Sequence, residues 1–153
     1  MIINQDFFNK IEPTLGRLKE KIGDDFVIFG SGPLYLMAVL EFGENTVLND
    51  LDIAIRDLLV VPQDAQKVLF RNDPNQKLYK INVNGINVDI GAAWPGQEEI
   101  FEKIFTDPLV IDGYKFANLD VCLKWRELIV KKYKREKDII YLQKIKEFYL
   151  KQK

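Results

Sequence analysis

The apolar positions of this chain change their period several times, and each change marks an element. Phe7, Phe8 and Ile11, continuing to Leu15, Leu18 and Ile22, recur at intervals of three or four, which is the spacing of one helix face. Pro13 and Gly16 interrupt the middle, so the stretch predicts one or two short helices ending near Gly23. Phe26-Val27-Ile28-Phe29 is short and continuously apolar, a strand pattern, and Gly30-Ser31-Gly32-Pro33 follows at once. Pro33 suits the first helical position, where its missing N–H costs no hydrogen bond. A helix is expected from there through Leu34, Leu36, Met37, Ala38 and Leu40 to Gly43, and its nearly unbroken apolarity implies burial on more than one side.

After a polar break, Leu51-Asp52-Ile53-Ala54-Ile55 reads as the second strand. Pro62 to Phe70 predicts a short amphipathic helix, because Ala65, Val68 and Leu69 have helical spacing. The clearest local signal comes next. Leu78 to Val83 and Ile86 to Ile90 alternate around Asn84-Gly85, the dipeptide that most readily forms a type I′ turn, so an antiparallel hairpin is expected. Glu98 to Phe105 predicts another short helix, with Pro108 and Gly113 ending or redirecting the chain. From Asn118 onward the periodicity is helical. Val121, Leu123, Trp125, Leu128, Ile129 and Val130 mark the core side of one helix, and Ile139, Ile140, Leu142, Ile145 and Phe148 that of the next. With no internal repeat and no low-complexity linker, these elements make one α/β (α+β) domain over residues 1–153. Its C-terminal helical portion, 118–150, is packed on the core.

Composition narrows the chemistry. The chain has 153 residues, enough for one substantial core, with 47% hydrophobic and 29% charged residues. No apolar stretch approaches the roughly 20 residues needed to span a bilayer, and Met1-Ile2-Ile3-Asn4 opens no signal-peptide pattern, so a cytoplasmic protein without a membrane partner is expected. Cys122 is the only cysteine, which excludes an intrachain disulfide and a thiolate-rich metal site; it reads as a core residue of a helix. There is no histidine at all, which removes Ser-His-Asp and Cys-His hydrolases and histidine-ligated zinc. A net charge of −1 argues against indiscriminate nucleic-acid coating.

Against that background, Asn49-Asp50-Leu51-Asp52-Ile53 is informative. Strand alternation sends Asp50 and Asp52 to one side while Leu51, Ile53 and Ile55 enter the core. Asp89 alternates with Val88 and Ile90 in the same way, and joins the pair if its strand lies beside Leu51–Ile55. Three clustered like charges need neutralisation, and Mg2+ prefers such oxygen ligands while keeping water and phosphate ligands. The Gly30-Ser31 turn adds a second component. Small residues let a phosphate approach the backbone, the start of a helix offers free N–H groups, and the Ser31 hydroxyl adds a donor. A metal for phosphate oxygens, a phosphate cradle and a carboxylate to take a hydroxyl proton are the parts of phosphoryl transfer.

These motifs resemble the DNA-polymerase-beta-like nucleotidyltransferase superfamily, especially compact bacterial and archaeal members of the AbiEii-like and aminoglycoside- or lincosamide-nucleotidyltransferase-like branches. The resemblance lies in Gly30-Ser31 opening a helix, Asp50-Leu51-Asp52 on a strand and Asp89 on a later strand, and it spans about residues 24–146. It implies a nucleotidyltransferase fold, a mixed sheet with flanking helices. It also implies Mg2+ or Mn2+ dependence and transfer of a nucleoside monophosphate from an NTP to a hydroxyl acceptor with release of pyrophosphate. Asp50 and Asp52 would bridge metals, and Asp89 would bind the catalytic metal and favour deprotonation of the acceptor. Lys124 and Arg135-Glu136-Lys137-Asp138 look like the lysine and the Lys-Asp pattern of the family's C-terminal helices, with Lys124 a candidate phosphate contact and Lys137 and Asp138 candidates for orienting helices. Asn49 stands where Ser or Thr often precedes the first acid, Gly32-Pro33 follows the turn where a helix normally starts at once, and residues 32–49 make a longer connection than the shortest members use.

The region from Lys124 to Lys137 is strongly basic and suits a triphosphate, a tRNA end or an acidic partner, or else forms a solvated helix face. Tyr133, Tyr141 and Tyr149 fit either base stacking or a helix seam. Three functional classes remain open at this stage: an active nucleotidyltransferase, including a toxin-like enzyme acting on tRNA; a catalytically weak nucleotide-binding or regulatory module; and a metal-dependent phosphoesterase. The acceptor can be a small molecule, an RNA end or a protein, and a homo-oligomer is compatible with all three.

Overall fold

A computed structural model describes residues 3–48 and 50–152, so Asn49 lies outside the described residues. Its centre is a seven-stranded mixed sheet. The strands are β1 (Phe26–Phe29), β2 (Asp50–Ile55), β3 (Gln66–Phe70), β4 (Asp73–Val83), β5 (Ile86–Gly91), β6 (Leu109–Ile111) and β7 (Tyr114–Phe116), in the spatial order β3-β4-β5-β2-β1-β7-β6. β2 runs parallel to β5 and β1 parallel to β7, while the other neighbours are antiparallel.

Helix α1 (Gln5–Ile22) covers one face of the sheet with Phe7, Phe8, Ile11, Leu15, Leu18 and Ile22. Asn4 caps it, its side chain accepting from the Phe7 N–H at 3.1 Å. It is one continuous helix despite Pro13. That residue is exposed, so the carbonyl it leaves unpaired faces water, and the buried stripe anchors both halves.

The other face carries α3 (Glu98–Ile104), α4 (Leu119–Tyr133) and α5 (Glu136–Lys151), packed through Ile100, Phe101, Ile104, Val121, Trp125, Ile129 and Ile145. Two covered faces explain the unbroken apolarity of β1: Phe26 and Ile28 enter the α1-side core, and Val27 and Phe29 the opposite one. Cys122 is buried on α4, where burial pushes its thiol up to about 12.

Three segments differ from the pattern-based expectation. The helix after Gly30 is only α2 (Gly32–Leu36) and does not reach Gly43. Ala38 turns left-handed at φ 60°, with Ala38 N–H bonded to Tyr35 O and Val39 N–H to Leu34 O, the double bond of a Schellman stop. An apolar segment that must stay buried folds back rather than extending into solvent. The expected helix over 62–70 is replaced by β3. Val68 pairs with Leu78, and the long β4 supplies backbone partners that outweigh a weak helical spacing. Strands β6 and β7 stand where only chain redirection was expected, joined by Asp112-Gly113 with φ 51° and 85°.

The Asn84-Gly85 hairpin forms as expected, with φ 52° and 81° at the turn and Val83 paired with Ile86. Gly85→Val should therefore destabilise the protein by about 1–2 kcal/mol in urea unfolding, because a β-branched side chain resists positive φ. An unchanged midpoint would mean that the turn relaxes to another type.

Candidate active site

Strand alternation builds the site. Leu51, Ile53 and Ile55 enter the α1-side core, which leaves Asp50, Asp52 and Ala54 on the face shared with α4. In β5, Val88 and Ile90 go to the α1 side, and Asp89 and Gly91 to the other. The parallel register sets Asp52 opposite Asp89, the antiparallel register of β4 sets Lys80 opposite Asp89, and Phe29 is the partner of Asp52 on β1. A single row across four strands therefore reads Phe29, Asp52, Asp89, Lys80. Neighbouring strands lie about 4.8 Å apart, so the two carboxylates are direct neighbours. Asp50, exposed, lies two positions along β2 on the same face.

The row is short of positive charge. The Asp52 carboxyl is pushed up to about 7, first by burial and then by Asp89, with a further push from Asp50; Arg126 and Lys80 offset this only in part. Lys80 Nζ lies 2.9 Å from Asp89 Oδ1, yet burial and the Asp50 charge still hold Asp89 above the usual carboxylate range. Burial alone would lower the Lys80 ammonium, but the surrounding acids raise it instead. One lysine serves three carboxylates.

Gly30 has φ 72°, and a Cβ there would collide with the Asp52 carboxylate, so both conformation and space require glycine. Ser31 is half-buried, borders the same cleft and makes no side-chain cap bond to α2. Five residues are too few for α2 to act as the expected anion-binding helix start; only the groups of the turn itself remain for that task.

The cleft measures about 300 Å³. Asp50, Asp52 and Asp89 border it together with Ser31, Phe29, Trp94 and Trp125, and the Phe29 ring packs tilted against Trp94 at 5.1 Å and edge-to-face against Trp125 at 5.3 Å. Arg71, Arg126, Arg135 and Lys137 supply basic side chains to the same space. Lys124 does not line it. The lysine is exposed on α4, and two residues of helix turn the chain by about 200°, so Arg126 faces the cleft in its place. The signal for Arg126 was present as a charged residue inside the apolar stripe of Cys122, Trp125 and Ile129.

Arg126 is tied to the buried Asp138 of α5, Nη1 to Oδ1 at 2.6 Å, and Arg71 reaches the same carboxylate from the β3–β4 turn at 2.5 and 3.3 Å. Burial opposes the charge on Asp138, but the two guanidiniums hold it below the usual range. Asp138 thus ties α5 to α4 through Arg126 and to the β3–β4 turn through Arg71, while Lys137 is exposed at the cleft. Arg71 escaped sequence reading because its turn, Arg71-Asn72 with φ 52° and 62°, lacks glycine. Tyr133 and Tyr149 are seam residues, donating to Asp73 and Asp120, whereas Tyr141 lines the cleft.

All the acidic donors of the row are oxygen, a set suited to a hard divalent cation. Among the described residues no group of three or more acidic or thiol side chains is placed to hold a metal ion, and Asp89 is engaged by Lys80. No helix among them is long and apolar enough to cross a membrane. Neither a protein-family model nor a curated protein matches the chain.

The raised Asp52 carboxyl has a thermodynamic consequence for the metal-free protein. Between its ordinary value of 3.8 and about 7 the folded state keeps a proton that the unfolded state has released, so stability falls as pH rises through that window. In EDTA, Asp52→Asn should be more stable than wild type at about pH 8, with the difference shrinking toward about pH 4, as read from urea midpoints. A difference independent of pH would contradict this charge state.

Proposed function

We propose that the protein is a divalent-cation-dependent nucleotidyltransferase that moves a nucleoside monophosphate from an NTP to a hydroxyl acceptor, releasing pyrophosphate. The observation that carries this reading is the in-register Asp52–Asp89 pair, underneutralised and set against the Gly30–Ser31 turn. The cleft is bipolar, with acids along one strand row and arginines and lysine from other elements, which suits a polyphosphate accompanied by a cation.

Asp50, Asp52 and Asp89 would hold the cation. When bound, it supplies neutralisation of phosphate oxygens and polarisation of the α-phosphorus. Gly30, lacking a Cβ, lets the Asp52 carboxylate sit against the turn, and the Ser31 hydroxyl donates to a phosphate oxygen. Phe29, Trp94 and Trp125 exclude water from one flank. Asp89 accepts the proton of the acceptor hydroxyl as its oxygen bonds to the α-phosphorus, while the bond from that phosphorus to the β-bridging oxygen breaks and pyrophosphate leaves with the electron pair. No protein nucleophile takes part.

The Lys80–Asp89 ion pair favours a second reading, a nucleotide-binding module of weak activity, because Asp89 must leave Lys80 before it can act. One experiment separates the two. The protein is incubated with Mg2+ or Mn2+, each labelled NTP and pools of small molecules, RNA and protein, and labelled adduct is followed together with pyrophosphate. The transferase reading expects both products in equal amounts, reduced about 100-fold or more by Asp52→Asn and by Asp89→Asn. Saturable NTP binding without adduct supports the module, and orthophosphate release to water supports a phosphoesterase. Adduct formed by both variants as fast as by wild type sinks the proposal.

A further inference from the structure

Asp138 carries a charge problem opposite to that of the Asp52 row. Two guanidiniums share this one buried carboxylate, so the trio holds a net positive charge away from bulk water: the Arg126 side chain is 5% exposed, that of Arg71 15% and that of Asp138 2%. Arginine has five N–H donors. Arg71 spends Nη1 and Nη2 on Asp138 and Arg126 spends Nη1, and the Nε groups of both are buried without a hydrogen-bond partner. Unpartnered donors on buried cations are costly unless something else completes them.

The two arginines are also held in place. The Arg126 guanidinium lies over Trp125 and Tyr141, 4.8 and 5.1 Å from the ring centroids, and that of Arg71 over Phe70 and Tyr133 at 4.8 and 5.4 Å. Stacking fixes the planes of the forks before any ligand arrives, the condition under which bidentate recognition of phosphate is strongest. Arg71 occupies a left-handed backbone position that no arginine prefers, and its side chain is thereby delivered into the cleft. Arg71, Arg126 and Asp138 all border the same 300 Å³ space as the carboxylate row, with Lys137 and Arg135 at its edge.

We propose that Arg71 and Arg126, held together by Asp138, form an anion subsite that receives the outer phosphates of a nucleoside triphosphate. The assignment rests on the nucleotidyltransferase reading and supplies what that reading lacks, a holder for the leaving pyrophosphate. The carboxylate row with its cation faces the α-phosphate, and the arginines, needing no cation, take the rest of the chain. A ligand with two or more linked phosphates is preferred over one with a single phosphate.

The test separates this subsite from the chemistry. Inorganic tripolyphosphate and orthophosphate are titrated calorimetrically, in EDTA, into wild type, Arg71→Gln, Arg71→Lys and Asp52→Asn, with folding checked by circular dichroism. Wild type should bind tripolyphosphate more tightly than orthophosphate. Arg71→Gln should weaken tripolyphosphate about tenfold or more through loss of a charge-assisted contact, and Asp52→Asn should bind at least as well as wild type. Arg71→Lys, which keeps the charge and the tie to Asp138 but loses the fork, should show a smaller loss, and it decides the matter if Arg71→Gln fails to fold. The subsite is overturned if wild type binds no tripolyphosphate at millimolar concentration, binds both anions equally, or binds as well after Arg71 is replaced, which would leave the arginines a purely structural tie. Arg71-dependent binding without nucleotidyl transfer keeps the subsite and sinks the transferase; transfer with an NTP KM unchanged by Arg71→Lys does the reverse.

Discussion

Everything at the centre of this molecule follows from the parallel pairing of β2 on β5, which places Asp52 beside Asp89 in a partly dry cleft with one lysine to serve them both and Asp50. Burial first, and then repulsion from Asp89 and Asp50, outweigh the pull of nearby cations, and the Asp52 carboxyl is pushed up to about 7 as a result. The α1-side core enforces this arrangement: Leu51, Ile53, Val88 and Ile90 are fully buried there, and a one-residue slip of either strand would send them to the cleft and the acids into the core. Packing on one face therefore maintains electrostatic stress on the other.

A second cluster, of the opposite sign, lines the same space. Asp138 fastens the β3–β4 turn and α4 to α5 through Arg71 and Arg126, and the turn is far in sequence from both of these consecutive helices. The two clusters are coupled by field as well as by proximity: Arg126 lowers the Asp52 carboxyl, and Asp52 raises the Arg126 guanidinium against the effect of burial. Each cluster partly relieves the other, and neither is neutral alone.

Much of this was legible in the sequence where a local cause sufficed. The α1 stripe, the β1 run, the Asn84-Gly85 hairpin, α3 and the two C-terminal helices each carry their own periodicity or turn chemistry, and the common face of Asp50, Asp52 and Asp89 follows from alternation once β2 and β5 are neighbours. What escaped depended on distant partners. β3 exists because β4 is long enough to pair with it, and α2 stops because Leu34 and Leu40 must both stay buried. Lys124 matched a motif by position but points to solvent, while Arg126 was hidden by being read as part of a basic stretch when it belongs to an apolar stripe. Arg71 had no sequence signal at all. The Asp112-Gly113 turn did carry one, and β6 and β7 could have been found from it.

Cys122 sits one helical turn before Arg126, on the same side of α4, sealed beneath the cleft with its thiol pushed up to about 12. A thiol that is both covered and protonated reacts with alkylating reagents only when the helix lifts from the sheet. The chain thus contains a built-in clock for breathing of the cleft wall: the rate at which its one thiol is captured measures how often α4 detaches, and any occupant that clamps the arginines to the strand row would slow that clock without touching the thiol.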